Sequence, residues 1–163
     1  MPEPILIQTE RADQSEVQAL LNELDRYLGE LYEPQENHIL DVQALLSPDV
    51  HFLVAREALV VLGCAAFRHM RGEIATSGEA YGEVKRMVVA GSARRRGIGA
   101  ALLTALEAAM LEKGLTLALL ETGSAQVSAV ELYERAGYQR RAAFGGYPDN
   151  GLSRFMSKRL IPK

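Results

Sequence analysis

The chain has one cysteine, Cys64, and no tryptophan among its 163 residues. A single thiol cannot build a disulfide framework, so the small disulfide-stapled folds are excluded. Cys64 lies in the apolar segment 60–67, where we expect a buried and unreactive side chain. Histidine is also scarce. His38, His51 and His69 are not spaced like the ligand pairs of metal sites, so no metal is expected.

Long hydrophobic runs are missing as well. No apolar stretch reaches the ~20 residues needed to span a membrane. The N-terminus carries Glu3 before Ile5 and lacks the basic stretch of a secretory signal. We therefore expect a cytoplasmic protein with no membrane partner.

Acidic and basic residues are unevenly divided along the chain. Residues 1–80 hold 14 acidic and 5 basic side chains, a net of −9, and residues 81–163 hold 7 acidic and 13 basic ones, a net of +6. The acidic total of −3, without aromatic residues between the arginines, argues against a nucleic-acid partner. The division suggests an anionic ligand near the second half, although chance distribution of solvated charges would give the same numbers.

Hydrophobic periodicity predicts a single domain over residues 1–163 with the element order β-α-α-β-β-β-α-β-α-β-β. The predicted strands cover residues 5–9, 51–56, 59–70, 83–89, 117–121, 138–144 and 153–160. The predicted helices cover residues 13–31, 40–46, 98–113 and 125–136, with Asp13 and Ser124 as N-caps. This order predicts an α/β fold, a mixed sheet with helices on both faces.

A basic, glycine-containing turn precedes the strongest predicted helix. Arg94-Arg95-Arg96 leads into Gly97-Ile98-Gly99. The unpaired N–H groups of a first helical turn attract anions, and glycine lets a phosphate approach the backbone. A dinucleotide site would need a small residue where Leu102 stands, and a P-loop would need a Gly-Lys-Ser/Thr sequence. Both kinds of nucleotide site are therefore disfavoured.

This segment resembles the [QR]xxGx[GA] signature of the GNAT superfamily of N-acetyltransferases. Residues 83–89 resemble the fourth strand of that family, and residues 126–138 resemble its NxxAxxLYxxxGF segment, with Gln126 in place of asparagine. The element order extends the resemblance over nearly the whole chain. Leu120-Glu121-Thr122-Gly123, with residues 144–147, further resembles small bacterial members whose substrates are mostly unassigned.

The resemblance implies a GNAT fold, which is a mostly antiparallel central sheet with one splayed parallel pair, here the strands ending at Val89 and Glu121. It implies acetyl-CoA as the co-substrate. The residues expected to bind it are Met87, Val88, Val89, Arg94, Arg95, Arg96, Gly97, Ile98, Gly99, Ala100 and Gln126. A backbone N–H of Met87 or Val88 would face the thioester oxygen.

Two catalytic residues follow from the same resemblance. Tyr133 matches the tyrosine that gives a proton to the departing thiolate, and an ordinary tyrosine pKa of about 10 keeps it protonated at neutral pH. Its apolar neighbours would also suit a core aromatic residue. Glu83 is the candidate general base, directly or through water, and a solvated strand end is the alternative. Glu121 is instead a candidate structural partner for Lys85 or an arginine.

The activity implied is transfer of the acetyl group of acetyl-CoA to a primary amine of a small molecule or peptide, by direct attack in a ternary complex. The alternatives are a non-catalytic acyl-CoA-binding regulatory module and a nucleotide-binding protein. The acidic first half hints at a cationic amine. Dimers are common in the family, so a homodimer is compatible with the resemblance.

Overall fold

Runs of β-branched and aromatic residues form the strands, and the computed structural model, which describes residues 3–162, joins them into one sheet. The strands are β1 Ile5–Thr9, β2 Val50–Glu57, β3 Val60–Met70, β4 Tyr81–Val89, β5 Leu117–Gly123, β6 Gln139–Arg140 and β7 Ser153–Arg159. Their order across the sheet is β1-β2-β3-β4-β5-β7-β6, and β4 with β5 is the one parallel pair within this region. The predicted fold class is confirmed.

Helices cover both faces of the sheet. They are α1 Ser15–Leu31, α2 Val42–Leu45, α3 Ile98–Glu112 and α4 Val127–Arg135. Successive residues of a strand face opposite sides, so Phe52 and Val54 of β2 pack with α1 and α2, whereas Leu53 and Ala55 pack with α3. Cys64 lies in the α1 layer, where burial raises the pKa of its thiol to about 12 and keeps it unreactive.

Both predicted N-caps are wrong, because each side chain has another partner. Asp13 accepts hydrogen bonds from Arg11, and α1 begins after Gln14. The Ser124 hydroxyl donates to the carbonyl groups of Gly151 and Leu152, and α4 begins after Gln126. In contrast, Asp41 accepts a hydrogen bond from the Ala44 N–H and caps the short α2.

The strand predicted for residues 138–144 is reduced to Gln139–Arg140. The following segment leaves the sheet because Phe144 turns inward and packs on Tyr81 and Phe155. Tyr81 belongs to the same cluster, and β4 accordingly starts two residues earlier than predicted. Three short 3₁₀ turns, Pro34–Glu36, Ile74–Thr76 and Gly91–Ala93, were not predicted.

The parallel pairing of β4 and β5 is short. Gly82 lies opposite Ala118 and Glu83 lies opposite Leu119, and beyond these two positions the strands separate. A bulge accompanies the separation, since the register between β3 and β4 shifts by one residue around Arg86, whose φ is +54°. The predicted splay is therefore present. No helix within residues 3–162 has the length and apolar character needed to cross a membrane.

Gly29 lies inside α1 and is exposed, and a Cβ added there would meet no atom within 4 Å. Gly29→Ala should raise the free energy of unfolding by about 0.5–1 kcal/mol, because alanine loses less backbone entropy in a helix. Gly82→Ala should lower it, because its Cβ would lie 2.7 Å from the Met110 sulfur. Urea denaturation of the two variants checks both signs, and a loss of stability in Gly29→Ala would contradict this account.

Candidate functional site

A cavity of about 100 Å³ opens where β4 and β5 separate. This volume has room for a few water molecules or for a small group of a ligand. The sheet contributes Val84, Lys85, Arg86, Met87, Glu121, Thr122 and Gly123, and the second half also contributes Gln126, Tyr133, Leu152 and Ser153. The other wall comes from the first half through Leu24, Leu28, Tyr32, Glu36, Asn37, His38 and Ile39.

The turn before α3 has the geometry of an anion site. Gly97 caps the helix with a left-handed φ of +76°, and the first helical hydrogen bond runs from the Ala101 N–H to the Gly97 carbonyl. The N–H groups of Ile98, Gly99 and Ala100 consequently have no partner within the helix. A Cβ at Gly97 would meet open space, whereas one at Gly99 would lie 3.0 Å from Leu132. Gly99 is thus needed for close packing of α3 on α4.

The arginine triplet lies on the surface beside this turn. Arg96 forms an ion pair with Glu57, with 2.6 Å between nitrogen and oxygen. Arg94 and Arg95 have no ion pair with any residue between 3 and 162. Two guanidinium groups are therefore available to an anion at the turn.

Two further bases of the second half, Lys85 and Arg86 of β4, are not part of this turn. Both line the cavity instead. The buried Arg86 guanidinium pairs with Asp25 of α1, and its Nε has no hydrogen-bond partner in the described part of the chain. The pair holds α1 against the bulge of β4.

The edge of β4 that faces β5 is open after the bulge. Val88 and Val89 pair with Cys64 and Gly63 of β3 on one side only. On the edge that faces β5, Met87, Val88 and Val89 have no strand partner among residues 3–162. Open main-chain groups of this kind can pair with an extended ligand as an additional strand would.

Glu83 is buried in a network of its own. The Tyr147 hydroxyl donates to Glu83 Oε2 at 2.5 Å, and Lys85 Nζ lies 3.4 Å from the same oxygen. Lys85 also donates to the Tyr147 oxygen at 2.6 Å. Burial, followed by the charge of Glu83, raises the pKa of Tyr147. Glu83 is 3% exposed and does not line the cavity, so a proton would reach it through Tyr147 or water.

Tyr133 reaches the cavity from α4. Its ring is buried and packs edge-to-face on Tyr138, with 5.9 Å between ring centres. No hydrogen bond to its hydroxyl is formed by residues 3–162, so the hydroxyl can serve a ligand. Burial raises the pKa of Tyr133, and the negative charge of Glu121 raises it further. The hydroxyl therefore stays protonated well above neutral pH.

Glu121 is half-buried and lines the same cavity. The expected pairing of Glu121 with Lys85 or an arginine is absent from the described residues, because Lys85 is engaged by Glu83 and Tyr147 and Arg86 by Asp25. Gln126 directly precedes α4 and also lines the cavity. Its contact with the co-substrate stays a prediction.

Sequence reasoning missed Tyr32, which follows α1. Its hydroxyl oxygen accepts a hydrogen bond from the Ala125 N–H at 3.1 Å. A Cβ at Gly123 would lie 1.8 Å from this oxygen, so glycine is required there. Tyr32 thus joins the end of α1 to the turn between β5 and α4. No local pattern indicates a contact between residues 93 positions apart in the sequence.

Comparison with known proteins gives consistent matches. The sequence model of the Acetyltransferase (GNAT) family matches residues 17–138. The chain is 45% identical over 156 residues to an IAA acetyltransferase of Azospirillum brasilense, covering 96% of this chain and 98% of that one. Among solved structures, a provisionally assigned acyl-CoA N-acyltransferase of Klebsiella pneumoniae is similar, with a TM-score of 0.77, 31% identity and coverage of 96% and 98%. The PaiA N-acetyltransferase of Thermoplasma acidophilum, solved with coenzyme A, has a TM-score of 0.73, 17% identity and coverage of 96% and 99%.

The contact between Tyr32 and Gly123 can be tested by a thermodynamic cycle. Gly123→Ala should lower the free energy of unfolding by about 1–3 kcal/mol, because the new methyl group displaces the Tyr32 ring. In a Tyr32→Ala background the same change should cost much less. Gly91→Ala, whose Cβ meets nothing within 4 Å, is the control. Equal costs of Gly123→Ala in both backgrounds would show that the contact does not hold α1.

Proposed function

The chain belongs to the Acetyltransferase (GNAT) family and is an acetyl-CoA-dependent N-acetyltransferase, and we propose that its acceptor is a primary amine of a small molecule or peptide. The amine attacks the thioester directly in a ternary complex. The observation that carries this proposal is the cavity at the splay of β4 and β5, where the Tyr133 hydroxyl, an open strand edge and an unpaired carboxylate meet. The catalytic unit is proposed to be one domain, residues 1–163.

The turn before α3 fits the pyrophosphate of acetyl-CoA. Its three free N–H groups and the two unpaired arginines supply donors and positive charge. The residues proposed to bind it are Arg94, Arg95, Arg96, Gly97, Ile98, Gly99 and Ala100. The open edge formed by Met87, Val88 and Val89 is proposed to pair with the pantetheine amides, with Gln126 beside them.

Two groups of this chain are proposed to act on the thioester. A backbone N–H of Met87 or Val88 donates to the carbonyl oxygen, since the bulge at Arg86 frees this edge. A donor of this kind contributes roughly 10²–10³ in rate. The Tyr133 hydroxyl gives its proton to the departing sulfur, and its raised pKa supports this role because the proton is retained until it is needed.

Glu83 is carried forward as the general base predicted from sequence. The Tyr147 hydroxyl is bonded to its carboxylate, so the amine's proton would pass through that hydroxyl or through a water molecule. The cytoplasmic location and the homodimer also stay predictions.

Removing the Tyr133 hydroxyl tests the assignment of the acid. Tyr133→Phe should lower kcat for CoA release by about 10²–10⁴-fold, with little change in acetyl-CoA binding. Because the pKa of Tyr133 is raised above its usual value near 10, the wild-type kcat should not fall between pH 8 and about 10 through loss of this proton.

The panel of candidate acceptors for this assay contains primary amines, amino acids, peptides, aminoglycosides and IAA. IAA is included because the Azospirillum relative is named an IAA acetyltransferase. Tyr138→Phe is the matched control, since the Tyr138 hydroxyl bonds Glu107 rather than lining the cavity. Unchanged turnover in Tyr133→Phe would refute the acid assignment. A wild type that binds acetyl-CoA but acetylates no member of the panel would favour a non-catalytic acyl-CoA-binding module.

The turn before α3 can be tested through affinity. Arg94→Gln and Arg95→Gln should each weaken acetyl-CoA binding by roughly tenfold, because each removes a charged donor to phosphate. Arg140→Gln, an exposed arginine on β6, should leave affinity unchanged. Thermal shift with acetyl-CoA, ATP and NAD measures both affinity and selectivity. Stabilisation by a nucleotide and not by acetyl-CoA would contradict the assignment.

A further inference from the structure

We propose that Glu121 is the carboxylate that receives the ammonium group of the acceptor and takes its proton, so the acceptor is an amine that is a cation in solution. This inference rests on the proposed acetyl transfer. It gives the cavity a substrate class, and it assigns the first proton transfer to Glu121 of β5 in place of Glu83 of β4, the general base predicted from sequence.

The position of Glu121 follows from the alternation of β5. Leu117 and Leu119 are buried with Tyr81 and Phe155 on the sheet face that carries Glu83 and the Tyr147 network. Glu121 is the next residue on that face, two positions beyond Leu119, where the pairing with β4 ends. Its side chain therefore continues this face into the opening between the strands, and it lines the cavity there.

The charge of Glu121 has no counter-ion within residues 3–162. The two basic groups that line the cavity already have ion-pair partners. Lys85 pairs with Glu83, and Arg86 pairs with Asp25. A half-buried carboxylate without a partner is costly, and a cation entering the cavity relieves that cost.

The groups that face the cavity from the other elements do not neutralise Glu121. Burial raises the pKa values of Tyr133 of α4 and of Tyr147, and the charge of Glu121 raises both further. Glu36, in the turn after α1, adds a second acid, and its carboxylate accepts the Glu33 N–H. His38 contributes its carbonyl to Lys85. The surroundings of Glu121 therefore favour a positive ligand.

Glu83 is less suited to meet the ammonium group directly. Its Oε2 already accepts the Tyr147 hydroxyl and lies beside Lys85. The difference between the two glutamates is one of access, because Glu121 lines the cavity and Glu83 does not. In this scheme Glu83 holds Tyr147 and Lys85 in place.

The proton balance closes with Tyr133. Glu121 accepts one proton from the ammonium group, which leaves a neutral amine. The amine nitrogen forms a bond to the acetyl carbon, the carbon–sulfur bond breaks, and Tyr133 gives its proton to the sulfur. The amine's second proton restores the Tyr133 hydroxyl, and Glu121 releases its proton to solvent when the products leave.

The test compares Glu121→Gln, Glu83→Gln and Glu131→Gln, the last an exposed carboxylate on α4, with the amine that the wild type acetylates fastest. Glu121→Gln should lower kcat/KM by at least about 10²-fold. Its kcat/KM should also rise tenfold per pH unit up to the pKa of the amine, because only the amine already neutral in solution can react. Glu83→Gln should keep the pH profile of the wild type whatever its rate, and Glu131→Gln should match the wild type. Glu121→Asp should recover part of the lost activity.

Acetyl-CoA thermal shift in each variant separates the outcomes. Stabilisation equal to that of the wild type, with lost turnover and the changed pH profile in Glu121→Gln, supports the proposal. Unchanged turnover or an unchanged pH profile in Glu121→Gln overturns it, and so does loss of the acetyl-CoA stabilisation, which would assign Glu121 to the cofactor side. A wild type that acetylates no amine would refute the proposed function itself, whereas an active wild type with an equally active Glu121→Gln refutes this inference alone.

Discussion

The candidate site depends on the short pairing between strands β4 and β5. β4 and β5 are joined at two positions and then separate, although both strands continue for several residues. Buried main-chain groups normally find partners, so two separating strands in the middle of a sheet leave an edge to be satisfied by something else. The cavity, the open edge of β4 and the approach to the turn before α3 all follow from this separation.

The first half of the chain holds the opening in place from one side. Two residues of this half are involved, Asp25 of α1 and Tyr32, which directly follows α1. Asp25 binds the guanidinium of Arg86 at the bulge of β4, and Tyr32 accepts the Ala125 N–H beyond the end of β5. Helix α1 and the residue that follows it therefore contact β4 at Arg86 and the end of β5 at Gly123. Any movement of α1 would change the width of the cavity, so fold and site are coupled there.

Local sequence patterns correctly predicted those helix and strand positions that are determined by residues nearby in the sequence. The strand Ile5–Thr9 and the start of α3 at Ile98 agree with the prediction, since periodicity and glycine turns are short-range signals. The Asp13 and Ser124 caps failed because distant or competing groups took those side chains. In the site, the family resemblance singled out Tyr133 and Gln126, which both line the cavity, and their roles toward a ligand stay predictions. The Tyr32 contact and the burial of Glu83 were not predictable, because both depend on residues more than 60 positions away.

The uneven charge of the sequence acquires a spatial meaning in the folded chain. Arg86, Arg96 and Arg159 of the basic half pair with Asp25, Glu57 and Glu79 of the acidic half, so much of the asymmetry is cancelled by contacts between the halves. Within residues 3–162, unpaired charges at two places bear on the binding of the substrates. The guanidinium groups of Arg94 and Arg95 stay free at the turn before α3, and the carboxylate of Glu121 stays free in the cavity. In the proposed reaction a co-substrate bearing phosphates and an amine bearing a proton have the opposite charges, so these free groups would steer both substrates toward the opening between β4 and β5.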